Sequence, residues 1–203
     1  MRYLITQSLL SAWGYLFSCP EGQEEEARAA FMQTLNREAT EPSDAMLNGR
    51  KFEDAVYLAA AKGCVPHCRW ESGITAVAGI IAGAQVQVKA KREITVDGMD
   101  FLVYGILDAL QAGVIYDVKF LNKSLGIVEL AGKYLNSPQH PAYFYLIPEA
   151  YEFRYLVSDG QDLYIESYSR EETPFIGKII SEFVQSMSEM NLLDTYAEKW
   201  KAL

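Results

Sequence analysis

Asp108, Asp117 and Lys119 are the residues of this sequence whose types and spacing best suit chemistry on a phosphate ester. They fall within GILDALQAGVIYDVKF, residues 105–120, where a tight turn between two predicted strands can bring the two carboxylates close. Asp117 and Lys119 stand two residues apart, so in a strand both side chains leave the same face. Ile115, Val118 and Phe120 give them an apolar surround. Two neighbouring carboxylates repel one another and lose hydration, and a hard cation such as Mg²⁺ relieves both penalties. With Asp108 and Asp117 as metal ligands, the Val118 carbonyl and several waters can complete the shell. Such a cation polarises a phosphate oxygen and lowers the pKa of an attacking water, while Lys119 can orient that water and offset charge growing on phosphorus.

Glu53 is a candidate fourth member. It lies on a predicted helix, with Gly49 one turn earlier on nearly the same face, where a missing side chain would allow close approach to the sheet or to a substrate. From there Glu53 can reach a metal directly or through water. Each group alone also has a plainer account. Asp117 and Lys119 suit an exposed salt bridge, Asp108 suits a hairpin cap, and Glu53 suits a solvated helix face.

The elements that must position these residues are legible in outline. Residues 7–17 and 24–37 read as helices, and Ser43 opens a stronger one running to Lys62 and ending at Gly63. A short apolar helix is expected over 73–83. From Gln85 the period changes to two, with Val86, Val88 and Ala90 pointing one way. Asp97-Gly98 marks a turn, and strands are expected over 101–110 and 114–121, giving two adjacent hairpins. Helical character returns over 125–135 and again just past Pro138. Strands follow over 151–157 and 163–168. Thr173-Pro174 then starts a final helix, with Thr173 as cap and a stripe of Ile176, Ile180, Phe183 and Met187.

In their order, these motifs resemble the PD-(D/E)xK nuclease superfamily, especially the branch of RecB-like enzymes and phage exonucleases. The pattern is Gly49-x-x-x-Glu53, Gly105-x-x-Asp108, Asp117-x-Lys119 and Gln139-x-x-x-Tyr143, preceded by Ile5-Thr-Gln-Ser8 and Cys19-Pro20. The resemblance implies an α/β, restriction-endonuclease-like core, a mixed central sheet flanked by helices, over residues 1–203 as one domain. It implies hydrolysis of DNA phosphodiester bonds with Mg²⁺ or Mn²⁺, as an exonuclease of processing or recombination, with DNA and a processing or recombination protein as partners. Single-stranded and duplex DNA both remain open. Glu53, Asp108, Asp117 and Lys119 would be catalytic, and Gln139 and Tyr143 would contact substrate. Some relatives carry a four-cysteine iron–sulfur cluster; none is expected here, because no cysteine follows Cys68.

Composition narrows the alternatives. A net charge of −9 argues against coating nucleic acid through a broad basic surface, though a metal would offset an acidic site. The apolar run over 73–84 falls short of the ~20 residues that cross a bilayer, and polar residues interrupt any signal-peptide core, so a cytoplasmic protein without a membrane partner is expected. Three cysteines make a disulfide framework improbable, and Cys64-Val-Pro-His67-Cys68 lacks a zinc spacing and a fourth ligand. Two other readings stay open: a catalytically weak nucleic-acid- or partner-binding module of the same fold, and a phosphodiesterase for a small molecule.

Overall fold

The computed structural model describes residues 1–126 and 130–202. Six strands form one mixed sheet: β1 (Arg2–Thr6), β2 (Gln85–Val96), β3 (Met99–Gln111), β4 (Val114–Phe120), β5 (Glu152–Ser158) and β6 (Leu163–Ser169). Seven helices flank it among the described residues: α1 (Gln7–Ser18), α2 (Glu24–Leu35), α3 (Asp44–Lys62), α4 (Glu71–Ile80), α5 (Gln139–Leu146), α6 (Ile176–Glu189) and α7 (Leu193–Lys199). This is the expected α/β architecture of a mixed sheet between helices. None of these helices is long and apolar enough to cross a membrane.

β3 organises the sheet. β2 runs antiparallel to it along one edge, from Gln85↔Leu110 to Val96↔Met99. The other edge is shared. β1 lies parallel to its first half, ending at Thr6↔Tyr104, and β4 lies antiparallel to its last residues, from Ala109↔Tyr116 to Gln111↔Val114. Gly105 to Asp108 therefore have no strand partner on that side. β4 then pairs parallel with β5, and β5 antiparallel with β6.

Alternation along β4 separates two cores, since successive side chains leave opposite faces. Ile115 joins a large cluster with residues of α1, α2, α5, α6 and α7. Val114, Tyr116 and Val118 join a second with Phe52, Val56 and Ala59 of α3 and Ile74 and Val77 of α4. Ser43 caps α3 by accepting from the Met46 amide at 3.3 Å, and Gly63 ends it in the left-handed conformation at φ 66°.

Several sequence expectations need correction. β1 has no expected counterpart: five residues run straight into a helix, and their extended form comes from pairing with β3. α4 begins earlier than expected, at Glu71. Thr173 does not cap the last long helix; its hydroxyl donates to the Ser169 carbonyl at 2.7 Å, and α6 starts at Ile176. Of the helix expected over 125–135, residues 127–129 lie outside the described residues, and 131–136 form turns.

α5 lies flat on the unpartnered stretch of β3 because Gly105 leaves room. A Cβ there would stand 2.6 Å from Tyr143 Cε1 and 3.0 Å from Leu146 Cδ1. On the same helix His140 is buried, its ring stacked on Tyr168 at 4.3 Å and its Nδ1 3.2 Å from the Tyr155 hydroxyl. Burial pushes its pKa down to about 4.

Two outcomes follow for stability. Gly105→Ala must displace Tyr143 and is expected to cost roughly 1–3 kcal/mol in denaturant unfolding, as overpacking does; an unchanged midpoint would show that α5 is not seated this way. His140 stays neutral in the native state below its unfolded pKa of ~6.5, so the unfolded chain binds the extra proton and stability falls as pH drops from there towards 4. The loss reaches roughly 3 kcal/mol for a depression of this size. Urea unfolding between pH 7 and 4.5 should show a shallower acid limb for His140→Gln than for wild type.

Candidate active site

Asp108 and Asp117 meet where β3 and β4 part. The last paired residues are Ala109 and Tyr116, and just beyond them the Val118 amide donates to Asp108 Oδ2 at 2.8 Å. The Asp108 side chain thus replaces the ladder bond that a continued strand pair would supply, and its carboxylate rests against the peptide that follows Asp117. In an extended strand the N–H and C=O of one residue point to the same edge. The Val118 carbonyl accordingly faces this opening too. Nearby, Tyr143 donates its hydroxyl to the Ile106 carbonyl at 2.8 Å, satisfying another backbone group left without a strand.

The backbone opposite Asp108 is irregular as well. The β2–β3 ladder pairs Val86 with Ala109 and Val88 with Leu107 but omits Gln87 and Asp108. Gln87 has φ 53°, a left-handed conformation that costs a side-chain-bearing residue of order 1–3 kcal/mol. Leu107 packs in the first core and Ala109 in the second, so the strand turns over at Asp108. This also explains why Val86, expected to point with Val88 and Ala90, is 39 % exposed. Gln87 Nε2 reaches the Tyr57 hydroxyl at 3.1 Å and Asp108 Oδ1 at 3.5 Å.

Asp117 is buried and Lys119 shares its face of β4, with Nζ 2.7 Å from Asp117 Oδ2. Gln139 at the start of α5, also buried, donates its amide to Asp117 Oδ1. Oδ2 is buried and, despite the nearby ammonium, receives no aligned hydrogen bond. Burial and the negative charge of Asp117 push the Asp108 carboxyl up to about 7, against the Val118 amide and Lys119. For Lys119, burial works against the charge, but Asp117 and Asp108 outweigh it and raise its pKa above the ordinary value. Lys119 is therefore held as an ammonium.

Glu53 faces this group from α3, and burial pushes its carboxyl up while Lys119 pulls it down. It does not close a tight shell: among the described residues no three histidine, cysteine or acidic side chains converge to hold a metal. Asp117 already engages Lys119 and Gln139, so Glu53 stands outside that contact. Gly49 does not make the close approach to the sheet expected of it, for an added Cβ would meet nothing within 4 Å. Gln139 and Tyr143, expected at the substrate backbone, are 4 % and 5 % exposed and engage Asp117 and Ile106 instead. Sequence reasoning passed over Tyr57 and Gln87. Tyr57 follows Glu53 by one helical turn, a usable signal; nothing in the alternation of β2 marks Gln87.

The amino-terminal motif has a mechanical role. Ile5 is fully buried in β1, and Thr6 caps α1 by accepting from the Leu9 amide at 3.3 Å, beside Tyr104 of β3.

No family model matches the sequence, and no curated protein matches it. Among solved structures, that of SSO0001 is 14 % identical over 94 % of this chain and 77 % of its own, with a TM-score of 0.55. That of LHK-Exo in complex with dAMP is 15 % identical over 96 % of this chain and 93 % of its own, with a TM-score of 0.51. At these identities the likeness is one of fold, and the fold is that of nuclease-fold proteins.

Proposed function

We propose that the protein hydrolyses phosphodiester bonds of DNA with a divalent metal, working from a strand end. The observation that carries this reading is the buried carboxylate pair of Asp108 and Asp117, set beside Lys119 where two strands separate. Two such carboxylates without a cation are electrostatically unfavourable, and the buried Asp117 Oδ2 lacks an aligned donor, which fits a metal ligand. Asp108, Asp117 and the Val118 carbonyl would hold Mg²⁺ or Mn²⁺, with Glu53 acting through water. The bound cation would supply Lewis acidity towards phosphate and a water of lowered pKa.

The chain's own groups divide the remaining work. Lys119, held protonated, cannot accept a proton, so it orients the nucleophilic water and offsets charge at phosphorus rather than acting as the base. Gln139 fixes the Asp117 carboxylate, and Gln87 with Tyr57 steadies Asp108, as outer groups do for metal ligands. Gln139 and Tyr143 are positioning residues in this scheme. LHK-Exo was solved with dAMP, so this fold accommodates a nucleotide in that protein, which supports nucleotide chemistry here. End preference and the choice of DNA rest on the superfamily resemblance.

The test is a cleavage assay on end-labelled single-stranded and duplex DNA, circular DNA and RNA. Cleavage of linear DNA is expected with Mg²⁺ or Mn²⁺, with circles spared and all activity lost in chelator. Asp108→Ala and Asp117→Ala should fall to background. Lys119→Ala should lose about 10²–10³ in kcat with metal affinity little changed, a loss typical of removing one group that stabilises transition-state charge. Gln139→Ala should weaken metal affinity by about 10–100-fold. Undiminished cutting by a well-folded Asp117→Ala variant would end this assignment.

A further inference from the structure

Just past Lys119, where β4 ends, lies a cavity of about 290 Å³ lined by Arg69, Trp70, Phe120, Asn122, Lys123 and Asp159, among others. Its chemistry is unlike the rest of this acidic chain. The Arg69 guanidinium lies over the Trp70 ring, 4.8 Å from its centroid, on an exposed residue that forms no ion pair among the described residues. Lys123 adds a second cation to the wall. The acid in the lining, Asp159, is committed elsewhere: it accepts from the backbone amides of Leu125 at 3.0 Å and of Gln161 and Asp162 at 2.9 Å. The cavity is thus open to an anion.

Its aromatic wall is rigid. Trp70 meets Phe120 edge-on at 4.9 Å and rests on Gly160, where a Cβ would come within 2.3 Å of its ring. Asn48 of α3 donates to Asn122 Oδ1 at 3.1 Å, tying the lip of the cavity to the helix that carries Glu53 and leaving the Asn122 amide donors available. Three residues separate Lys119 from Asn122, a backbone reach of at most ~10 Å. That is the span of a few stacked nucleotides at ~3.4 Å each.

We propose that this cavity is a nucleotide subsite, holding the phosphate and base of the cleaved strand a short step from the bond that is cut. Arg69 and Lys123 pair with the phosphate, the Trp70–Phe120 pair gives the base an apolar wall, and Asn122 donates to the base edge. This rests on the nuclease reading above.

The test compares the full-length wild type with Arg69→Ala and Arg69→Glu on a single-stranded oligonucleotide with Mg²⁺ present, reading kcat and KM separately at several salt concentrations. KM should rise about tenfold for Arg69→Ala and further for Arg69→Glu, while kcat moves less than KM. The slope of log(1/KM) against log salt should shrink by about 0.7, the loss of one phosphate contact on a single strand. Thermal unfolding of each variant should match wild type, since Arg69 is exposed. An unchanged KM in Arg69→Glu overturns the subsite alone, as does a fall in kcat with KM intact. Wild type that cuts no nucleic acid overturns the function first and the subsite with it.

Discussion

Asp108 and Asp117 repel one another in a poorly hydrated opening, and much of the surrounding structure offsets that repulsion. Four neighbours answer the two charges: the Lys119 ammonium, the Val118 amide, the Gln139 amide and, more distantly, Gln87. They do not cancel it, since the Asp108 carboxyl is still pushed to about 7 and one Asp117 oxygen has no aligned donor. A chain that keeps such a pair sacrifices stability at that spot, and the compensation a cation offers is the physical core of the proposed chemistry.

The opening itself comes from strand pairing. β1 and β4 share one edge of β3 without meeting, so four residues of β3 lack a neighbouring strand. Their polar groups are served by side chains, Tyr143 on the Ile106 carbonyl and Asp108 on the Val118 amide. Gly105 and Asp108 mark the two ends of this stretch, which gives the Gly-x-x-Asp spacing a mechanical meaning. The glycine admits the helix that brings Gln139 to Asp117, and the aspartate bridges to the departing strand.

Much of this was legible in the sequence. Alternation located β2, β3 and β4, the Ser43 and Gly63 signals bounded α3, and the Asp-x-Lys spacing put Asp117 and Lys119 on one face. What escaped depends on contacts distant in sequence. Arg2–Thr6 is extended only because β3 lies beside it, and Gln87 adopts its left-handed backbone where β2 crosses a break in a regular ladder. Gln139 and Tyr143 were found as a motif but given outward roles, because burial is a property of the packed layers and leaves little trace in a short helix whose residues are nearly all apolar. Glu53 was placed on the correct helix, yet its distance from the aspartates depends on how Lys119 fills the space between.

Division of the interior into two packed layers has a further consequence. Gln139 is delivered by α5 from one layer and Glu53 by α3 from the other, while the aspartates sit on strands that both layers clamp. A chain that has consolidated only one side therefore owns an incomplete set of groups, with its carboxylates neither oriented nor desolvated. Competence to cut would be the last property the protein acquires while folding and the first it surrenders when either layer loosens, so a half-formed or damaged copy is chemically harmless.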